Sequence, residues 1–197
     1  MNTRQQILKA TERVILSKGL ARVTTKEIAR AAGYAEGTLY KHFETKEDLF
    51  LAVIQEDLPD FVETVRQDRA GKDTIRTNLE EIAHATINYY GKLMPLVVSL
   101  FADADLLTRH REWMQIQNTG PMRIYERVAE YITAEQNLGR IDKQRDPLFI
   151  AAFLLGPCFQ YVFMRSFTGA DPSPMTQQKL VTELVQTLIS GVLPAGQ

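Results

Sequence analysis

The sequence predicts an all-α fold, and two features of its patterning support that prediction. Apolar residues recur at intervals of three and four along almost the whole chain, which places them on one face of a helix. No convincing run of β-branched residues alternates with polar ones, as a half-buried strand requires. The 197 residues, 45% hydrophobic and 24% charged, have an ordinary globular composition and suffice to bury a core without disulfides.

Charge and cysteine content narrow the class of protein. The formal net charge is −1, but residues 1–48 carry nine Lys or Arg against six Asp or Glu, a net charge of +3. A basic head on an acidic remainder is consistent with a nucleic-acid-binding module joined to a second region. The single cysteine, Cys158, excludes an internal disulfide framework. Together with the lack of a signal peptide, it predicts a cytoplasmic protein.

One segment, residues 147–164, is apolar enough to resemble a membrane span. At 1.5 Å per residue it reaches about 27 Å, only just the thickness of a hydrocarbon core. Pro157 lies in its middle, and Asp146 and Arg165 flank it. We therefore expect a helix buried between other helices, and no membrane contact.

Capping signals bound the first helices. A helix is predicted from about residue 4 to residue 18, and Gly19 ends it. Thr24 and Glu27 have the spacing of a capping box, which begins a second helix that ends near Gly33.

A third helix is predicted over about residues 36–43, after a turn of about three residues. The run at residues 45–48 offers another cap, which begins a fourth helix predicted to continue to Val65. Pro59 lies within that pattern and predicts a kink or break there. Later helices are predicted over about residues 73–93, 95–105, 121–136, 146–167 and 175–193, which brings the total to about nine. A further helical stretch is predicted around Trp113.

The second and third helices have the arrangement of a helix-turn-helix. A tight turn containing Gly33 joins them, and the second of the pair is short enough to lie in a major groove about 12 Å wide. Their buried positions are predicted to be Ile28, Ala29, Ala32, Leu39 and Phe43. The candidate DNA contacts left at the start or on the outer face of the third helix are Glu36, Gly37, Thr38, Lys41 and His42. Tyr40 points sideways, where its hydroxyl can donate to a phosphate.

The run from Thr24 to Phe50, TTKEIARAAGYAEGTLYKHFETKEDLF, resembles the DNA-binding signature of the TetR family of transcriptional regulators. The residues at the family's spacing are Thr25, Ile28, Ala29, Ala32, Gly33, Gly37, Thr38, Leu39, Tyr40, Phe43, Lys46 and Leu49. This resemblance implies an all-helical homodimer. It implies a helix-turn-helix DNA-binding domain over residues 1–48 and a ligand-binding and dimerisation domain over residues 49–197.

The resemblance also implies roles for individual residues. Thr25 and Lys26, at the start of the second helix, and Lys46, in the fourth, would hold phosphates of double-stranded DNA. The family often has a small hydroxyl residue at the position of Ala35, so the third helix is expected to lack a side-chain cap. Glu36 either accepts a hydrogen bond from a cytosine amino group or, through its negative charge, complements the positive partial charge at the start of its helix.

The last two predicted helices resemble the family's dimerisation pair. The stripe on the final helix comprises Leu180, Val181, Leu184, Val185, Leu188, Ile189 and Val192. The final helix and the apolar helix before it would pack against the same two helices of a second copy, which gives a four-helix interface. Such a dimer would hold two third helices, the reading helices, about 34 Å apart. This spacing predicts a palindromic operator.

Aromatic and sulfur-containing residues are candidates for lining a cavity that binds a small apolar effector. They are Tyr89, Phe101, Trp113, Met122, Tyr125, Phe159 and Phe163. Ordinary core packing is the alternative for each of them. The residue types do not identify the effector.

Taken together, these features predict a DNA-binding transcriptional regulator, a repressor that a small apolar ligand releases. An activator and an architectural DNA binder without an inducer remain alternatives. Release is expected to follow a tilt of the fourth helix, with Pro59 as a flexing point or a static bend. Sequence motifs of phosphate-binding loops, serine hydrolases and zinc hydrolases are absent, so we expect no enzyme, no metal and no cofactor.

Overall fold

The computed structural model describes residues 2–19, 22–56, 65, 69–118, 120–172 and 174–190. Within these residues it contains helices and turns but no strand, which confirms the all-α prediction. The helices are α1 (Thr3–Lys18), α2 (Thr25–Ala32), α3 (Glu36–Tyr40), α4 (Lys46–Glu56), α5 (Ile75–Phe101), α6 (Ala104–Ile116), α7 (Pro121–Asn137), α8 (Pro147–Thr168) and α9 (Gln177–Ser190).

The predicted capping signals set the ends of the early helices. Thr24 Oγ1 accepts from the Glu27 amide at 3.2 Å, and the Glu27 carboxylate accepts from the Thr24 amide at 3.1 Å. Gly33 ends α2 in the left-handed region, at φ 79°. Thr45 and Asp48 repeat the capping box at α4, with both backbone-to-side-chain distances at 3.0 Å. These helix boundaries therefore follow from local hydrogen bonding.

The fifth helix differs from the prediction of two helices over residues 73–93 and 95–105. α5 runs without interruption from Ile75 to Phe101 and includes Pro95. Proline removes one amide donor from the helix. Met94, Leu96 and Leu100 are buried around it, and each such burial contributes about 1.5–3 kcal/mol. Apolar packing on both sides of Pro95 thus outweighs the lost hydrogen bond.

The third helix is shorter than predicted, because it ends at Tyr40. The amides of His42 and Phe43 both donate to the Leu39 carbonyl at 2.9 Å, which tightens the chain into a turn. Residues 57–64 of the predicted fourth helix, including the predicted break at Pro59, lie outside the described residues. Val65, its predicted last position, is buried in a turn and not in a helix.

Residue contacts divide the chain into two compact units. The first comprises residues 1–59 and 92–118, and the second comprises residues 60–91 and 119–197. In the first unit, α1 to α4 share one core with the end of α5 and with α6. That core includes the predicted Ile28, Ala29, Leu39 and Phe43, with Ala32 partly buried against it. The boundary after residue 48 stays a prediction.

The second unit has a core of its own, built from the start of α5 and from α7, α8 and α9. Its buried residues include Ile82, Val128, Ile132, Leu154 and Val181. The buried Glu135 carboxylate accepts from the Tyr131 hydroxyl at 2.9 Å and from the Gly71 amide at 3.3 Å. It also pairs with Arg140 at 3.3 Å. This network fixes the turn before α5 onto α7.

The prediction that the most apolar helix is buried between other helices is wrong for the single chain. In α8, Leu154 and Cys158 are buried, whereas Phe149, Phe153 and Phe167 are 65%, 67% and 81% exposed. The helix is long and apolar enough to cross a membrane, and a third of its apolar window is buried. One side of α8 packs within the second unit, and the other carries exposed aromatic rings, which sequence hydrophobicity alone does not distinguish.

Candidate nucleic-acid interface

Leu39 in α3 and Phe43 in the turn after it hold α3 against the core of the first unit. Leu39 and Phe43 are buried in its core, as their four-residue spacing predicts. The Arg4 guanidinium on α1 lies 5.4 Å from the centroid of the Phe43 ring, a cation-π distance. Ala35 gives α3 no side-chain cap, as expected. The orientation of α3 therefore depends on burial and on contacts with α1 and α2.

The predicted base contacts lie on α3 and in the turn that follows it. Gly37, Lys41 and His42 are exposed, while Glu36 and Thr38 are half-buried. With Leu39 and Phe43 facing inward, these residues remain on the side available to a partner. Their contacts with DNA stay predictions.

Thr25, Glu36 and Tyr40 form a cluster of side chains across α2 and α3. The Thr25 hydroxyl donates to Glu36 Oε1 at 2.5 Å, and the Tyr40 hydroxyl lies 3.3 Å from Thr25 Oγ1. Sequence reasoning considered these three residues separately. No local signal predicts their contact, because they are 11 and 15 residues apart and meet only when the helices pack.

Cations lie at the starts of the helices on either side of α3. Lys26 is exposed in the first turn of α2. Lys46 begins α4, and its Nζ donates to the Val23 carbonyl at 3.4 Å. Lys18 on α1 pairs with Glu27 of the α2 capping box at 2.7 Å. The Lys18 hydrogen bond, aided by the Thr24 amide, holds the pKa of Glu27 below its ordinary value.

The candidate ligand residues differ in their burial. Tyr89 is buried, and Trp113 and Tyr125 are half-buried. The remaining four are exposed in the single chain: Phe101, Met122, Phe159 and Phe163. Phe101 and Trp113 belong to the first unit and the other five to the second. A pocket lined by them stays a prediction.

An aromatic cluster in the second unit contains two of these candidates. Tyr90 contacts Tyr89 at 5.8 Å and Phe159 at 5.4 Å between ring centroids, the latter edge-on. Burial raises the pKa of Tyr90, and the nearby Tyr125 phenol raises it further to a smaller extent. The Tyr90 hydroxyl therefore stays protonated and can donate a hydrogen bond within apolar surroundings.

Two family models match separate parts of the chain. The model for bacterial regulatory proteins of the tetR family matches residues 7–53. The model for the C-terminal domain of AefR-like transcriptional repressors matches residues 108–190. The first matched segment contains the helix-turn-helix, and the second contains the last three helices and most of α6.

Individual proteins match over nearly the whole length. The chain is 24% identical to the HTH-type transcriptional regulator UidR of Escherichia coli (strain K12), over 98% of this chain and 94% of that one. A putative TetR-family transcriptional regulator from Mesorhizobium loti has a similar structure, with a TM-score of 0.77, 24% identity and 95% coverage of each chain. Another is the transcriptional regulator FadR from Bacillus subtilis in complex with stearoyl-CoA, with a TM-score of 0.69 and 19% identity, covering 96% of this chain and 99% of that one.

Proposed function

The chain belongs to the TetR family of bacterial transcriptional regulators, and from that premise we propose that it is a repressor that binds a palindromic operator as a homodimer and is released by a small apolar ligand. The observation that carries the proposal is the arrangement of α3. Leu39 in α3 and Phe43 in the turn after it are buried, while Gly37 in α3 and Lys41 and His42 in that turn are exposed. A short helix presented in this way fits the major groove.

The proposed DNA contacts divide into two kinds. Lys26 and Lys46, at the starts of α2 and α4, bind phosphates and set the register of the protein on the duplex. Thr38 and Lys41 face base edges and determine sequence preference. Gly37 lets the backbone approach the duplex closely, because it has no side chain.

The exposed face of α8 supports the proposed dimer. Phe149, Phe153, Phe163 and Phe167 follow helical spacing and are all exposed in the single chain. An apolar patch of this kind is a typical association surface. On α9, Val181 and Val185 are buried within the chain, and Ile189 is exposed. A second copy packed on these helices places two α3 helices on successive major grooves.

The proposed ligand is small and mainly apolar. Tyr89, Tyr90 and Tyr125 provide aromatic surface with phenol groups, a combination found in small-molecule sites. The structural neighbour from Bacillus subtilis carries stearoyl-CoA, whose acyl chain is apolar and whose CoA portion is anionic, so it supports a ligand with an apolar part. Ligand binding shifts α4 and changes the spacing of the two reading helices. We place the protein in the cytoplasm, where the DNA is, and assign it no enzymatic activity.

The test is selection of bound duplexes from fragmented genomic DNA and from a randomised library. We expect an inverted repeat with half-sites one helical turn apart. Thr38→Ala and Lys41→Ala should change preference at single operator positions, by about 1–3 kcal/mol where a good base contact is lost. Addition of apolar compounds, and of stearoyl-CoA as an amphipathic one, should identify a compound that weakens the complex. Binding without preference for any inverted repeat would overturn the proposal.

A further inference from the structure

The side-chain cluster between α2 and α3 carries an inference that rests on the proposed function and adds to it. We propose that Glu36 is a positioning residue for operator binding, which holds Thr25 and Tyr40 in place and does not itself read a base. Thr25 is the first residue of α2, whereas Glu36 and Tyr40 are the first and last residues of α3. The cluster therefore joins the phosphate-binding end of α2 to both ends of the reading helix.

The direction of the hydrogen bonds follows from counting protons. A threonine hydroxyl has one proton and a carboxylate has none. Thr25 donates its proton to Glu36 Oε1 at 2.5 Å, so its oxygen can only accept from Tyr40 in the 3.3 Å contact. Donation thus runs from Tyr40 to Thr25 to Glu36. The Thr25 proton, which the sequence assigned to a phosphate, is held by Glu36 instead.

This cluster compensates for a weak helix start. α3 has five residues and no side-chain cap at Ala35, and so short a helix is unstable by itself. The Glu36 carboxylate lies in its first turn and bonds to the first residue of α2, where negative charge is favourable for both helix starts. Through Thr25, Glu36 fixes the angle between the two helices of the motif.

The charge of Glu36 has an opposite effect on DNA. A carboxylate beside a phosphate-binding helix start repels the phosphate, and salt screens that repulsion only in part. The hydrogen bond and the charge can be separated by substitution, because Glu36→Gln keeps an acceptor oxygen but loses the charge. Glu36→Ala loses both.

The experiment compares operator affinity at several salt concentrations, and base preference in a randomised operator, for E36Q, E36A, T25V and the double variants T25V/E36Q and T25V/E36A. We expect E36Q to bind about twofold to fivefold more tightly than the parent, the size of the effect of one charge that is partly accessible to solvent. E36A should bind roughly threefold to tenfold more weakly than E36Q, as one lost hydrogen bond predicts. Base preference should stay the same in both.

The double variants test whether Glu36 acts through Thr25. T25V should weaken binding in the parent and in the E36Q background but have almost no effect in the E36A background. Glu44→Gln is the matched control, since Glu44 is exposed in the turn after α3 and has the same charge. If E44Q and E36Q gained operator affinity equally, and E36Q and E36A bound with the same affinity, Glu36 would act only through its general charge. That result would overturn the inference.

Two further outcomes would also overturn it. A change of preference at one operator position in E36Q or E36A would make Glu36 a base-reading residue. An undiminished effect of T25V in the E36A background would mean that the Thr25 hydroxyl binds phosphate directly. Both outcomes leave operator binding by the parent protein intact, so they are distinguishable from failure of the proposed function, in which the parent itself binds no inverted repeat.

Discussion

Asp48 in the first turn of α4 forms an ion pair with Arg109 on α6. The same carboxylate accepts from the amide and the hydroxyl of Thr45, at 3.0 and 2.7 Å, and so completes the cap of α4. Asp48 lies in the segment matched by the N-terminal family model, and Arg109 lies in the segment matched by the C-terminal one. One carboxylate therefore ties the turn that carries Lys46 to α6, within the first compact unit.

Removal of Arg109 should weaken operator binding without changing sequence preference. The two side chains are 40% and 33% exposed, so R109A should cost about 0.5–1 kcal/mol in unfolding free energy. Without the ion pair the first turn of α4 is held less firmly, so Lys46 is positioned less precisely for its phosphate. Operator affinity should therefore fall by up to about fivefold. The measurements are chemical unfolding and operator titration. R111A, which removes an exposed arginine of the same helix, is the control, and equal effects of the two variants would contradict this role.

Lys46→Ala tests the predicted phosphate contact. Loss of one phosphate contact should weaken binding to every DNA sequence and lower the slope of log affinity against log salt by about one unit. The slope is measured by operator titration between low and physiological salt. Lys143→Ala, in the exposed turn before α8, provides the control for a general loss of charge. Loss of affinity for only some sequences would make Lys46 a base contact instead.

Gly37→Ala should affect stability and DNA binding in opposite directions. A Cβ at Gly37 would meet no heavy atom within 4 Å, and alanine favours the helix by up to about 1 kcal/mol. The added methyl group lies on the face proposed to approach DNA, so operator affinity should fall while the melting temperature rises. Thermal unfolding and operator titration measure the two effects. Unchanged affinity in the stabilised variant would remove Gly37 from the interface.

Much of the head could be predicted from the sequence because its signals are local. The capping pairs at Thr24 and Thr45, the left-handed Gly33 and the buried Leu39 and Phe43 each depend on residues a few positions apart. These signals also carried the resemblance to the TetR family. Helix existence and type therefore followed without tertiary information.

The differences arose where distant residues decide the outcome. α5 continues through Pro95 because buried neighbours outweigh one missing hydrogen bond. The bond between Thr25 and Glu36 forms only when α2 and α3 pack. The apolar sequence of α8 did not show that Phe153 is exposed, because a helix covered by its own chain and a helix covered by a second copy have the same composition.

The ion pair between Lys18 and Glu27 should make stability depend on pH in the acid range. The pKa of Glu27 is held below its ordinary value of 4.5, first by the Lys18 hydrogen bond. The carboxylate therefore stabilises the fold fully above pH 4.5, and this contribution is lost as the pH falls through the lower native pKa. Glu27→Gln should lower the melting temperature near neutral pH and have little effect in strong acid. A difference that is constant across the pH range would contradict the assignment, and E44Q controls for net charge.

Phe153→Glu tests the dimer through the exposed face of α8. Phe153 is 67% exposed in the single chain, so the substitution should leave the fold of one subunit intact. In a dimer the two carboxylates would be buried without partners, at a cost of about 3 kcal/mol or more, which raises the dissociation constant more than a hundredfold. Sedimentation velocity should show a monomer, and affinity for the full palindrome should fall while affinity for a half-site remains. Ile116→Glu, at an exposed position of α6 in the first unit, should stay dimeric. A dimeric Phe153→Glu variant would place the interface elsewhere.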